Sequence, residues 1–292
     1  MGAFTPRGWR LVRLGGCSEP RLGAIDPAAP SVVRELRERD PLAALRRGLA
    51  QSAAEAVGEH VAEDPARLAP LSLLAPLVPD EIWAAGVTYE RSRHARIEES
   101  TSSADVYALV YDAERPELFL KDAGCRRTVG PGEAVAVRSE SRWTVPEPEL
   151  GLVLDADGSI MAVTGGNDLT ARDIEAENPL YLPQAKLFAG CCALGPAVLV
   201  PDDPAAPYAI SVRIWNAEGN LVNEDATSTA AMHRSFEELA SWCVRENPLP
   251  AGAVLLTGTG VVPPDDVALA PGYRVDVEVE GIGVLSNPVR AA

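Results

Sequence analysis

The sequence predicts a β-rich α+β protein behind a short helical N-terminal region. Three observations carry this prediction. From Glu81 onward, apolar and polar residues alternate in short runs, and pairs of runs meet at turn residues. A single convincing helix interrupts that texture. Before residue 78 the chain is instead rich in Ala, Leu, Arg and Glu at helical spacing.

Residues 1–78 read as a small N-terminal α/β region. A strand-like start precedes "SVVRELRERDPLAALRRGLAQSAAEAVGEHV" (31–61), which Pro41 divides into two helices. The Pro-rich stretch 65–79 reads as a linker to a larger domain over 79–292. In that domain "EAVAVRS" (133–139) alternates, and "ELGLVLDADGSIMAVTGGNDL" gives two strands joined at Asp157-Gly158, a good hairpin turn. "AISVRIWNAEGNLVNE" repeats the pattern around Gly219. "YRVDVEVEGIGVLSNPV" (273–289) sets Val275, Val277 and Val279 on one face. The helix carries an apolar stripe of Met232, Phe236, Leu239, Ala240, Cys243 and Val244, and Asn247-Pro248 ends it.

The chain has 292 residues, 47% hydrophobic and 23% charged, ample for a substantial core. Its net charge of −16 argues against nucleic acid or an anionic membrane surface as partner. A small anionic substrate fits only if the site supplies its own cations. Cys17, Cys125, Cys191, Cys192 and Cys243 form no CxxC pair, which points to reduced, buried thiols. The first residues lack a signal-peptide core, and "LAPLSLLAPLVP" (68–79) is too short and proline-broken to span a bilayer. A cytoplasmic protein is expected.

Chemistry first surfaces in "TVPEPELGLVL" (144–154). Side chains alternate along a strand, so Glu147 and Glu149 point the same way. In "TGGNDLTARDIEAENP" the pair Gly165-Gly166 permits close backbone approach just before Asp168. A hairpin returns Asp168 to the neighbourhood of the two glutamates. Three converging carboxylates call for a cation, and oxygen-only ligands select Mg²⁺, with Mn²⁺ or Ca²⁺ as substitutes. The ordinary alternative is a solvated strand face.

"EPELGLVL", "GGNDLTARDIE", "QAKLF", "LGPAVL" and "LLTGTG", in this order over residues 80–289, resemble the fumarylacetoacetate hydrolase superfamily. The resemblance implies a β-roll or sandwich catalytic domain and a Mg²⁺ site built from Glu147, Glu149 and Asp168. It also suggests a homodimer or homotetramer. "EIWAAGVTYERSR", "RPELFLK", "RSESRWTVPEPELGLVL", "ENPLYLPQAK" and "LLTGTGVVPP" are most similar to the subgroup that dehydrates 2-keto-3-deoxy sugar acids.

By that likeness the expected substrate is a small anionic 2-oxo acid, a 2-keto-3-deoxy-pentonate converted to 2,5-dioxopentanoate through a metal-stabilised enolate. Glu117 and Lys186 take the acid and base roles, in either order. Tyr89, Arg91, Ser92, Thr257 and Thr259 bind substrate. Lys186, Arg91 and Arg172 are the cations available to offset the carboxylates. Without the likeness, Glu117 reads as an ordinary partner of Lys121 or Arg115, and Arg172 as a partner of Asp173 or another carboxylate. Two alternatives stand beside this reading. One is a C–C hydrolase of an acylpyruvate or fumarylacetoacetate-type substrate, which His94 would serve by activating water, although Val87 and Ser92 depart from hydrolase patterns. The other is a non-catalytic 2-oxo acid binder.

Overall fold

The computed structural model describes residues 4–16, 18–69, 71–99, 109–204 and 206–292. Cys17 lies outside the described residues; the other four cysteines are free thiols, three of them buried.

Strands dominate, in a twelve-stranded mixed sheet and a five-stranded one. At the centre of the larger sheet, strand Pro148–Leu154 pairs antiparallel with Ile160–Asp168, and Gly158 takes the left-handed conformation (φ +84°) that closes the turn. Strands Ala253–Leu256 and Cys192–Pro201 flank this hairpin on either side. Every residue from 148 to 154 is therefore buried, which explains the nearly continuous apolar run. Gly165 and Gly166 are needed for close approach. A Cβ on Gly165 would fall 2.6 Å from the Gly195 carbonyl oxygen, and one on Gly166 would fall 2.4 Å from Leu256.

The smaller sheet orders Leu221–Ser228, Ala209–Trp215, Arg274–Val279, Gly283–Ala291 and Val135–Val137. Val275, Val277 and Val279 are each 1% exposed on its inner face, and one apolar core spans both sheets. The helix of the larger region runs Phe236–Cys243, later than its apolar stripe suggests. Ser235 caps it by accepting the Glu238 N–H, while Met232 instead forms a backbone bridge with Tyr89.

The N-terminal region differs from the sequence expectation. Helices Pro41–Arg47 and Leu49–Ala54 form, but strands Val32–Glu35 and Gly58–Val61 flank them. Pairing overrides propensity there: Val33 is fully buried on the strand Arg21–Ile25, and Glu35 is held by Arg21. Strand Gly8–Leu14 then pairs with Cys192–Pro201, so the N-terminal strands extend the sheet that carries the site. Leu68 and Leu77, within the stretch that reads as a linker, are buried in the core. Among the described residues, no helix is long and apolar enough to cross a membrane.

Candidate active site

Where the central hairpin begins and ends, its two strands bring three carboxylates together. The Asp168 N–H donates to the Glu147 carbonyl at 2.9 Å, and the Glu147 N–H donates to Asn167 Oδ1 at 3.1 Å. Glu147, Glu149 and Asp168 are 3%, 1% and 1% exposed, with one oxygen from each within 4.8 Å of the others.

Four buried cations surround them. Arg96 and Arg172 donate to Glu147 Oε1 at 2.7 and 3.0 Å. Lys186 Nζ donates to Glu147 Oε2 at 2.6 Å and to Asp168 Oδ2 at 2.9 Å. Lys121 pairs with Asp168 Oδ1, and Arg96 also lies 3.2 Å from Glu175 Oε2. Burial alone would raise the Glu147 carboxyl, but Lys186, Arg96 and Arg172 outweigh it and hold the group well below the usual carboxylate range.

Glu149 behaves in the opposite way. It accepts one N–H, from Gly258 at 2.7 Å, and among the described residues no lysine or arginine is paired with it. Burial first, then Asp168 and Glu147, push its carboxyl well above the usual range. Glu117, on strand Glu117–Ala123 that pairs with Glu81–Gly86, lies over Gly86, where an added Cβ would meet Glu117 Oε2 at 2.0 Å. Burial and the nearby Glu175 raise the Glu117 carboxyl to about 7. Lys186 is held in its charged form: burial disfavours the charge, but Asp168 and Glu147 favour it more, so its pKa rises. A small pocket is lined by Ser92, Arg96, Glu117, Glu149, Lys186 and Thr259, among others.

Residues 81–290 match the family model described as fumarylacetoacetate (FAA) hydrolase C-terminal. The chain belongs to the fumarylacetoacetate hydrolase family. It is 51% identical over 215 residues, 73% of each chain, to a Haloferax volcanii protein named "Probable 2-keto-3-deoxyxylonate dehydratase". It is 43% identical over 224 residues, 75% of each chain, to the 2-dehydro-3-deoxy-D-arabinonate dehydratase of Saccharolobus solfataricus. A solved structure of 2-keto-3-deoxy-D-arabinonate dehydratase complexed with magnesium and 2,5-dioxopentanoate shares its fold at a TM-score of 0.83 and 36% identity, covering 97% of this chain and 99% of that one.

Within this member of the family, the expected site residues divide. Glu117, Lys186, Ser92 and Thr259 border the same pocket as Glu147 and Glu149. Tyr89 is 2% exposed; its hydroxyl finds no hydrogen-bond partner among the described residues, and burial, then the Glu149 charge, raise its pKa. The Thr257 hydroxyl is turned away, donating to the Leu150 carbonyl at 3.0 Å. Arg91 lies outside the pocket: it is exposed and pairs with Asp225 at 2.7 Å. His94 is exposed as well and lines a separate cleft with Asp225 and Pro264. Glu117 is not tied to Lys121 or Arg115, since Lys121 holds Asp168 and Arg115 stacks on Trp242.

Sequence reasoning missed Arg96, Lys121 and Glu175. On helix Glu90–Glu99 the buried face is Ser92, Ala95 and Arg96, a three-to-four-residue spacing that could have exposed Arg96. Glu175 lies three residues after Arg172 on Arg172–Glu177, and both are buried. Lys121 carried no periodic signal.

Proposed function

We propose that this protein is a divalent-metal-dependent dehydratase that converts a 2-keto-3-deoxy-pentonate to 2,5-dioxopentanoate. One observation carries the reading: the buried group Glu147, Glu149 and Asp168 adjoins a pocket that also presents Glu117 and Lys186. The residues fit an ion. Glu149 is a buried carboxylate without a paired cation, and the all-oxygen set suits Mg²⁺ or Mn²⁺. The relatives named for this reaction support the substrate class.

Charge supports it too. Glu117, Glu147, Glu149, Asp168 and Glu175 face Arg96, Lys121, Arg172 and Lys186. With all ionised, the cluster is one charge negative; a divalent ion makes it one positive, and one substrate carboxylate then neutralises it. When bound by the three carboxylates, the ion supplies Lewis acidity at the 2-oxo group. The chain's own residues move the protons. Glu117, titrating near neutrality and lying over Gly86, takes a C3 proton. Lys186, kept protonated by Asp168 and Glu147, gives a proton to the departing C4 hydroxyl, which leaves as water. The resulting enone tautomerises to the C5 aldehyde. Tyr89 and Thr259 offer hydroxyls to the substrate, while Ser92 Oγ, which donates to the Tyr89 carbonyl at 2.8 Å, offers it a lone pair.

The test is mass spectrometry of parallel incubations with a 2-keto-3-deoxy-pentonate and an acylpyruvate. Loss of one water from the first and no change in the second is expected. Cleavage of the second into two fragments, with the first unchanged, would replace the reading with C–C hydrolysis.

A further inference from the structure

Lys121 is fully buried, and its surroundings belong to the site. Strand Glu117–Ala123 pairs with Glu81–Gly86, but the register shifts: Ile82 faces Asp122, while Trp83 faces Leu120. Lys121 is the extra residue of a β-bulge. Regular alternation would send Lys121 and Asp122 to opposite environments, yet both are fully buried. Asp122 fastens the bulge from its side, accepting the backbone N–H groups of Ala123 and Arg127 and the Thr128 hydroxyl.

The bulge aims the Lys121 ammonium at three acceptors. It pairs with Asp168 Oδ1, donates to the Leu169 carbonyl at 3.0 Å, and donates to the Lys186 carbonyl. One ion pair and two hydrogen bonds thus connect a carboxylate of the ion site, the residue after it, and the last backbone carbonyl of helix Leu182–Lys186. Nothing in the proposed chemistry requires Lys121 to touch substrate. We infer that Lys121 is a positioning residue, which fixes the Asp168 carboxylate and the Lys186 backbone in one register so that ion and proton donor address the same substrate. This rests on the reading of Glu147, Glu149 and Asp168 as the ion site.

Coulomb's law and positioning make opposite predictions, which makes the test decisive. Removing a positive charge beside a cation site tightens cation binding if charge alone matters. Removing a group that orients a ligand typically weakens it about 10–100-fold. Mn²⁺ binding, followed by electron paramagnetic resonance, is compared in wild type, Lys121→Met, Lys121→Gln and Glu149→Gln, with thermal melting and steady-state kinetics on each. Weaker Mn²⁺ binding by about tenfold or more in both Lys121 variants is expected, with kcat falling more than KM changes. Gln, which keeps a donor for the carbonyls, provides a folded variant should Met melt below the assay temperature. Equal or tighter Mn²⁺ binding with unchanged kcat, whatever the melting temperature, would overturn the inference and leave Lys121 a packing residue. Wild type that binds no Mn²⁺, or Glu149→Gln that binds it equally well, would overturn the ion site itself.

Discussion

Asp168 donates its backbone N–H to the carbonyl of Glu147 at 2.9 Å, closing the mouth of the central hairpin. That contact places two carboxylates from opposite ends of a 22-residue stretch in one buried cluster, and Glu149 follows by strand alternation.

Glu149 is the ligand candidate without a paired cation, so its replacement isolates metal binding from the lysine and arginine network. Glu149→Gln is expected to abolish Mg²⁺ binding by isothermal titration calorimetry and to lower kcat/KM by about a thousandfold or more. Because burial pushes this carboxyl well above its usual range, the variant is expected to melt no lower than metal-free wild type at neutral pH.

Gly86 leaves the space that Glu117 fills. Gly86→Ala places a methyl where Glu117 Oε2 now lies, so the carboxylate must swing away. A kcat loss of about a hundredfold is expected from such a displacement. The acceptor is the far end of a flexible side chain, so the melting temperature should change little.

Glu117 links stability to pH. Its carboxyl titrates near 7 in the folded protein against an ordinary 4.5, so the folded state holds the extra proton between those values. Stability from this group therefore falls as pH rises from about 4.5 to 7, and the penalty is complete above that. Glu117→Gln lacks the penalty. Its melting temperature relative to wild type should climb across that window, by on the order of a few degrees, and then level off. A difference independent of pH would refute the assignment.

Arg96 and Arg91 share one helix but not one environment. Arg96→Met removes a buried partner of Glu147 and Glu175 and is expected to cost about 1–3 kcal/mol in urea unfolding. Arg91→Ala breaks an exposed pair with Asp225 and should cost about 0–1 kcal/mol. It should also leave kcat/KM within about threefold, because the side chain lies outside the pocket.

The legible part of this site was the part written at short range. Glu147, Glu149 and Asp168 follow from strand alternation and one Asp-Gly turn, both local rules. Gly165-Gly166 signalled close packing correctly for the same reason. The cations were harder. Arg172 stood open between Asp173 and another carboxylate, and only the folded chain selects Glu147. Lys121 was hidden because a bulge reverses the face that alternation assigns. Arg96 sits on a polar helix whose inner face becomes apparent only once the pocket it covers exists. In the N-terminal region, Ala-, Leu- and Arg-rich composition predicted helix over residues that strand partners claim.

Proton NMR of the purified protein with a 2-keto-3-deoxy-pentonate, first with EDTA and then with Mg²⁺ in excess, tests the central claim most directly. The account predicts no change under chelation and, on adding Mg²⁺, the growth of an aldehyde proton signal from 2,5-dioxopentanoate as the substrate disappears. An aldehyde signal that grows equally under EDTA would contradict the role given to Glu147, Glu149 and Asp168. A substrate that stays unchanged with Mg²⁺ bound would contradict the dehydratase itself.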